Sequence, residues 1–172
     1  ITVKNIHEDK NLILAAQSYQ ELFKVEAESG KTKFYDSSKS ALKSLKEKLI
    51  KNATLDSQKN KHIESANMLY EAYLLDKKDT VNLYNAATAF VEGKDFVSAL
   101  KHYETLKSFN YSGTGTIYYA VNKATKTEER FLKDFERNRL ISDGTYENPR
   151  NVIGLSKRGL IYKNIALIYL QN

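Results

Sequence analysis

The chain has 172 residues, of which 41% are hydrophobic and 28% charged, ordinary proportions for a folded domain that argue against general disorder. A single proline and seven glycines leave long stretches in which helices can run, so we expect one mainly α-helical domain over residues 1–172. The absence of cysteine excludes disulfides, thiolate metal sites and cysteine nucleophiles, and no apolar run approaches the roughly 20 residues of a membrane helix.

The positive charge is concentrated in one stretch. The net charge is +6, and residues 31–61 carry nine lysines against three acidic residues. Such a stretch can bind an anionic partner, or it can be the solvated face of a helix. Because no arginine-rich run or nucleic-acid-binding signature accompanies the lysines, a solvated face is the favoured interpretation, and nucleic acid is not the expected partner.

Apolar residues at intervals of three and four predict three helices in the first half of the chain. The first spans about 10–28 and leads the domain. The second begins at the capping sequence 36–38 and ends near Asn52,. The third carries Ile63 on its apolar face and ends near Asp76.

The segment 80–110 carries the clearest motif. Its first helix places large and small residues at fixed intervals, and a turn at 93–95 separates it from a second helix of similar pattern. The residues are Leu83, Ala86, Ala87 and Phe90 in the first helix and Phe96, Ala99, Tyr103 and Leu106 in the second. This spacing agrees with the tetratricopeptide pattern of about 34 residues, in which small residues let two helices approach closely.

Partial copies of the same pattern flank this segment. Ala66 lies 33 residues before Ala99, close to that period, so residues 37–76 are interpreted as an earlier, divergent repeat. Residues 156–172 repeat the spacing of the first helix and are interpreted as the first helix of a further repeat.

Residues 111–155 lack the pattern and are interpreted as an insertion. Their β-branched and aromatic residues favour a β-hairpin over 116–131. Asp134 should cap a short basic helix that runs through Ile141, and the turn residues at 143–149 predict an ordered loop before the last helix.

Two segments, VNLYNAATAFVEGKDFVSALKHYETL and SKRGLIYKNIALIYLQN, resemble tetratricopeptide repeats of exported proteins of Bacteroidetes that carry a hairpin insertion. The resemblance covers most of residues 37–172. It implies an all-α superhelix of antiparallel helix pairs interrupted by a small β-hairpin, and a scaffold role without a reaction. It also implies a location in a bacterial periplasm or cell envelope, with the cytoplasm as the alternative.

In arrays of this family the concave surface binds the partner and is built from fixed positions of each first helix. The resemblance implies a binding surface of nine residues: Val81, Tyr84, Asn85, Thr88, Val91, Leu160, Lys163, Asn164 and Leu167. The carboxylate-clamp subtype, which binds chaperone C-termini, is not supported, because Thr88 and Leu167 stand where a clamp asparagine is needed.

No arrangement of catalytic or metal-binding residues is recognisable in the sequence. His7, His62 and His102 lie in unrelated segments without ligand spacing, so we expect solvated histidines and no metal. Glu128 and Glu129 are neighbours on a predicted strand and point to opposite sides, which excludes a general acid/base pair. We expect neither a catalytic residue nor a cofactor.

These observations predict a non-enzymatic scaffold that binds a peptide or protein of unknown identity on its concave surface. The alternative is a binder of an anionic polymer, either nucleic acid or an acidic glycan, through the lysines of 31–61 and exposed tyrosines. Tyr84, Tyr118 and Tyr119 are the tyrosines expected to be free for such stacking.

The last predicted helix, at about 156–170, has apolar residues almost all round, which calls for cover on more than one side. The sequence stops at Gln171-Asn172, where the turn into the second helix of the repeat should follow. We therefore expect the chain to be part of a longer array. The apolar surface of this helix should be exposed or covered by self-association with a second copy.

Overall fold

The structure is a computed structural model that describes residues 8–30 and 32–171. Seven helices and three strands occur in these residues, which confirms the mainly helical fold predicted from the sequence. They are α1 (Glu8–Glu28), α2 (Lys33–Gln58), α3 (His62–Leu75), α4 (Thr80–Glu92), α5 (Phe96–Ser108), β1 (Thr116–Asn122), β2 (Glu128–Phe131), α6 (Asp134–Ser142), β3 (Tyr146–Ile153) and α7 (Arg158–Gln171).

The described chain divides into two compact units. The helical unit contains α1 to α5 together with residues 161–171 of α7. The insertion unit spans 112–160 and overlaps the insertion predicted at 111–155.

The first two helices run antiparallel, as their contacts show. Phe23 of α1 packs edge-on against Tyr35 of α2, with ring centroids 5.0 Å apart, near the connection between the helices. Far from that connection, the carboxylate of Asp9 accepts a hydrogen bond of 2.8 Å from the side chain of Asn52. Residues early in α1 therefore lie beside residues late in α2.

The second helix is longer than predicted at both ends. It begins at Lys33, so the prediction that the sequence 36–38 caps it is wrong, and it continues to Gln58 where the sequence predicted an end near Asn52. Residues 53–58, which lie beyond the predicted end of this helix, are therefore helical.

A carboxylate from α1 explains the early start of α2. Glu26 is buried, and its two carboxylate oxygens accept hydrogen bonds from the backbone N–H groups of Phe34 (2.6 Å) and Tyr35 (2.8 Å). The first N–H groups of a helix have no acceptor inside the helix. Glu26 supplies that acceptor from the preceding helix and stabilises a start that local capping residues do not mark.

The fourth and fifth helices also form an antiparallel pair. Phe90, near the end of α4, packs on His102 with ring centroids 5.4 Å apart. Tyr84, earlier in α4, packs on Tyr111, just beyond α5, at 5.9 Å. The later residue of α4 thus contacts the earlier residue of its partner segment, and the earlier residue contacts the later one. The two helices therefore run antiparallel, as predicted for this segment.

Two clusters of buried side chains form the core of the helical unit, and Tyr70 packs against both. Alanine is frequent in these clusters. The fully buried alanines of the helical unit are Ala16, Ala53, Ala66, Ala72, Ala86, Ala87 and Ala99. Because an alanine side chain is a single methyl group, helices that meet at alanines can approach closely while their larger side chains fill the remaining space.

The last helix buries one stripe and exposes the rest. Ile161, Ile165 and Ile168 are buried in the same cluster as residues of α3, α4 and α5, at a spacing typical of a single helical face. Its other large apolar side chains are exposed: Leu160, Tyr162, Leu167, Tyr169 and Leu170. The exposed apolar surface predicted for this helix is present in the single chain, and self-association through it stays a prediction.

The insertion unit contains an antiparallel sheet in the strand order β2-β1-β3. β1 and β2 form the predicted hairpin, with Tyr118 opposite Phe131 and Val121 opposite Glu128. The β-branched and aromatic residues of β1 favour this extended conformation. The helix predicted after the hairpin is present as α6.

The loop predicted at 143–149 is wrong in its second half, because β3 begins at Tyr146. Pro149 is tolerated because β3 is an edge strand, where a missing N–H group need not interrupt the sheet. The register of β1 against β3 shifts between Tyr119 and Val121, and Asn148 has a φ of 53°. A bulge at this point accommodates the Asn-Pro sequence.

The tyrosines of β1 are less free than predicted. The guanidinium of the buried Arg137 lies 5.2 Å from the ring centroid of Tyr118. The guanidinium of Arg150 lies 4.6 Å from that of Tyr119 and also forms an ion pair with Glu128, at 2.6 Å. Both rings are partly covered by arginine from the same unit, so neither is an open stacking platform.

His102 is buried, which contradicts the solvated position predicted for it. Its ring lies 4.3 Å from that of Tyr70 and 5.4 Å from that of Phe90, and the residue is only 4% exposed. Burial lowers the pKa of His102 to about 4, with a smaller contribution from Lys101. The imidazole is therefore neutral in the folded protein at neutral pH.

Replacing Glu26 with alanine should destabilise the helical unit by about 1–3 kcal/mol, because the first N–H groups of α2 lose their acceptor. Urea denaturation measures the change in the free energy of unfolding. The matched control is Glu28→Ala, at an exposed position of the same helix, which should change that free energy by less than about 0.5 kcal/mol. Equal effects of the two substitutions would show that Glu26 does not cap α2.

His102 should make stability depend on pH between its unfolded and folded pKa values. The unfolded chain binds a proton at this residue near pH 6.5 and the folded chain only near pH 4, so the stabilisation is complete above pH 6.5 and is lost as pH falls towards 4. The loss should amount to at most about 3 kcal/mol. Urea denaturation across this range measures it.

The comparison for this prediction is His102→Gln, which carries no titrating ring. The free energy of unfolding of this variant should change less between pH 6.5 and 4 than that of the wild-type protein, whatever its absolute value. Below pH 4 both proteins should still lose stability, because a hydrogen bond from the backbone of Ser98 lowers the pKa of Asp95 in the folded state. Parallel curves for the two proteins above pH 4 would contradict the assignment to His102.

Candidate functional site

A groove of about 320 Å³ lies between α2 and α4, and we call it the α2–α4 groove. It collects three of the residues predicted from the sequence: Tyr84, Asn85 and Thr88. Its remaining lining residues are Ile50, Ala53, Thr54, Ser57, Gln58, Ser65, Leu69, Ala89 and Glu92. Aliphatic side chains alternate here with hydroxyl and amide groups, so the groove offers both apolar contact and hydrogen-bonding partners.

The α4 wall of this groove is held by its own contacts. The hydroxyl of Thr88 donates a hydrogen bond to the backbone carbonyl of Tyr84, at 3.1 Å, and the ring of Tyr84 packs on Tyr111. Asn85 is exposed and has no hydrogen-bond partner among the described residues. Its amide can therefore both donate to and accept from a bound molecule.

A smaller pocket of about 90 Å³ collects three more of the predicted residues, Val91 from α4 with Asn164 and Leu167 from α7. Asn164 donates a hydrogen bond of 2.8 Å to the hydroxyl of Tyr103, which lies 3.4 Å from the hydroxyl of Thr88. Burial raises the pKa of Tyr103, so this hydroxyl stays protonated. One buried tyrosine thus connects α4, α5 and α7.

The other three predicted residues line neither groove. Val81 is exposed in the first turn of α4, and Leu160 and Lys163 are exposed in the first two turns of α7. The structure therefore brings Tyr84, Asn85 and Thr88 together, joins Val91, Asn164 and Leu167 in a second place, and leaves these three at the surface.

The residues of α2 that line this groove were not predicted from the sequence. Ala53, Thr54, Ser57 and Gln58 line it, but they follow Asn52, where the predicted helix ended. If the predicted helix had been about one and a half turns longer, residues 50, 53, 54 and 57 would have lain on one of its faces, since these positions have the three-and-four spacing of a helix.

Three lysines of the predicted basic region, Lys39, Lys43 and Lys46, line a separate groove, which we call the lysine groove. Its volume is about 560 Å³, and it is lined by Tyr35, Lys39, Leu42, Lys43, Lys46, Leu75, Asp76, Lys77 and Lys78. Lysines from α2 thus meet lysines that follow α3. Lys31, also part of the predicted region, lies outside the described residues.

Acidic neighbours neutralise part of this groove. Lys46 forms ion pairs with Asp76 (2.7 Å) and Asp79 (2.8 Å), and its hydrogen bond lowers the pKa of Asp76. Lys39 is paired with Asp36 at 2.7 Å. The remaining three lysines of the groove make no ion pair within 8–30 and 32–171, and they are Lys43, Lys77 and Lys78.

Neither a metal-ligand cluster nor a membrane-spanning helix occurs in the described part of the chain. No group of three or more histidine, aspartate or glutamate side chains there is placed to hold a metal ion, and His7 lies outside it. None of its helices has the length and apolarity required to cross a membrane.

No protein-family model, curated protein or solved structure matches this chain. The interpretation of these grooves therefore depends on their geometry and chemistry.

Proposed function

We propose that the helical unit is a tetratricopeptide-like array of antiparallel helix pairs and that it binds an extended peptide segment of a protein partner in the α2–α4 groove. In this proposal α2 with α3 and α4 with α5 are successive repeats, and α7 begins a third. The burial of Ala66 and Ala99, 33 residues apart, supports the repeat assignment. The proposed role is non-enzymatic.

The lining of the α2–α4 groove carries this proposal. An extended peptide presents backbone N–H and C=O groups along its length, and these need partners when water is removed. Thr54, Ser57, Gln58 and Asn85 offer donors and acceptors on two facing helices. Ile50 and the other aliphatic side chains between them offer apolar contact to the peptide side chains.

Asn85→Arg should weaken binding of peptides selected from a displayed random library against the wild-type protein, because a long charged side chain would fill the groove. We expect a loss of at least about tenfold in affinity, which corresponds to about 1.4 kcal/mol. Asn11→Arg is the matched control, since Asn11 is also an exposed helical asparagine and the change in charge is identical.

The selected peptides should bind the Asn11→Arg variant as tightly as the wild-type protein. Fluorescence anisotropy of labelled peptides measures the affinities, and the melting temperatures of the two variants check that both remain folded. Peptides that bind equally well to the Asn85→Arg variant would place the binding surface elsewhere and refute the proposal.

The lysine groove favours a second candidate function, the binding of an anionic polymer. Lys43 and Lys77 line it from different segments and form no ion pair with any residue that the structure describes, and the exposed residue Tyr35 also lines it. Contacts to phosphate or sulfate release counterions, so binding of this kind weakens steeply as salt rises.

Binding of heparin and of a mixed oligonucleotide across a salt series tests this second function. Replacing both Lys43 and Lys77 with glutamine should weaken binding and reduce its salt dependence by about two charges. The control is glutamine at Lys48 and Lys51, which are exposed on the same helix but do not line the groove. Equal losses of affinity for the two double variants would indicate that the polymer is attracted by net charge alone. That result would exclude a specific binding site in the lysine groove.

A further inference from the structure

A third groove of the helical unit is acidic. It has a volume of about 540 Å³ and lies where the start of α1, the end of α2 and the start of α3 meet. Four carboxylates and two lysines are among its lining residues, which are Glu8, Asp9, Lys10, Ile13, Asn52, Leu55, Asp56, Lys59, Glu64 and Asn67. We call it the acidic groove. It lies on another face of α2 from the α2–α4 groove.

Asp56 is the most deeply buried residue of the acidic groove. It is 4% exposed, whereas the other lining residues are exposed or half-buried. Its Oδ2 atom is buried and has no hydrogen-bond partner among residues 8–30 and 32–171. Buried polar atoms nearly always have a partner, so a carboxylate oxygen left without one in a groove points to a group that the chain does not supply.

The position of Asp56 in its helix also favours a positively charged partner. It lies in the last turn of α2, where the carbonyl groups of a helix already create a negative potential. Among the described residues, the cationic group nearest to this carboxylate is the ammonium of Lys61, 3.9 Å from Oδ1, on a side chain that is half exposed. That distance is too long for a hydrogen bond, and the ammonium leaves Oδ2 unpaired.

Other groups of the groove do not satisfy Asp56 either. The carboxylate of Asp9 is engaged with the side chain of Asn52, at 2.8 Å. Lys10 and Lys59 are exposed side chains of the lining and make no ion pair with Asp56 among the described residues. The carboxylates are also too dispersed to hold a metal ion, since no group of three suitable ligands occurs in this part of the chain.

We propose that the acidic groove binds a guanidinium or ammonium group carried on an aliphatic stem, such as an arginine or lysine side chain of a peptide or one end of a polyamine. The cationic head donates to the carboxylate of Asp56, whose side chain is 6% exposed. The stem packs along Ile13 and Leu55, and the amide oxygens of Asn52 and Asn67 accept further hydrogen bonds. Charge-assisted hydrogen bonds of this type are the strong ones. The site is independent of the peptide groove proposed above.

Backbone-amide NMR tests the proposal with the peptide acetyl-Gly-Arg-Gly-amide as probe. The peptide should shift the amide resonances at the end of α2 and the start of α3 in a saturable manner, with a dissociation constant on the order of 1 mM. The same peptide with citrulline, which keeps the shape of arginine without its charge, should leave these resonances in place. Spermidine in a parallel titration shows whether a free polyamine binds more tightly than the peptide.

Asp56→Asn should weaken binding of the arginine peptide by at least about tenfold. The matched control is Asp36→Asn, the same substitution at an exposed position in the first turn of α2, which should leave the affinity unchanged. Glu64→Gln, on an exposed lining residue, should weaken binding by about threefold and is a second variant that does not alter a buried position.

A separate measurement on the free protein distinguishes a binding role of Asp56 from a structural one. If Asp56 binds an external cation, Asp56→Asn should preserve or raise the melting temperature, because it removes an unpaired charge from a helix C-terminus. A fall in melting temperature with unchanged peptide affinity would overturn the proposal. Equal binding of the citrulline peptide would overturn it as well, and so would displacement of the arginine peptide by calcium ions at equal concentration.

Discussion

Close contact between helices at alanine is the constraint on which the helical unit depends. Ala66 of α3, Ala86 and Ala87 of α4 and Ala99 of α5 are fully buried, and each lies in a core cluster shared by several helices. A larger side chain at such a position would overpack the interface and push the helices apart. Small residues at these positions allow the helices around the α2–α4 groove to approach closely.

Polar contacts determine features of the helix arrangement that packing of the apolar core does not determine. Tyr103 is fully buried, and its hydroxyl connects Thr88 on the groove wall with Asn164 on α7. Glu26 has a similar role near the connection between α1 and α2, where its hydrogen bonds fix the residue at which α2 begins. Hydrogen bonds of this kind contribute little net stability individually, but leaving a buried partner unpaired is costly. They therefore select one arrangement of helices that hydrophobic burial alone would not distinguish.

The grooves of the helical unit differ in chemistry although they share the same helices. The α2–α4 groove is lined mainly by neutral polar and aliphatic groups, with the single carboxylate Glu92, whereas lysines predominate in the lysine groove and carboxylates in the acidic groove. All three include residues of α2, because a long helix in the middle of the unit presents a different face to each neighbour. A partner that engages more than one groove would gain affinity from linking the contacts without needing any one of them to be strong.

Helical periodicity was sufficient to predict the central pair of helices. The predicted segment 80–110, with its turn at 93–95, agrees with α4 (Thr80–Glu92) and α5 (Phe96–Ser108), because the apolar spacing and the turn residues indicate the same boundary between them,. Three groove residues, Tyr84, Asn85 and Thr88, came from the resemblance to tetratricopeptide repeats and not from the periodicity alone. Local sequence thus carries this part of the fold.

Features that depend on distant partners could not be predicted in this way. The start of α2 depends on Glu26, which no local capping rule identifies. Strand β3 contains an Asn-Pro sequence that locally favours a turn, and its pairing with β1 overrides that preference,. The burial of His102 and the unpaired oxygen of Asp56 likewise appear only when several helices are assembled.

Mapping a selected peptide onto the protein by backbone-amide NMR tests the central claim most directly, namely that the alanine-packed helices hold the α2–α4 groove ready for an extended peptide. The account predicts that the largest shifts occur on the facing walls of this groove, at Ala53, Thr54, Ser57, Tyr84, Asn85 and Thr88. Largest shifts around Lys43 and Lys77, or in the insertion unit, with the α2–α4 groove unchanged, would contradict it.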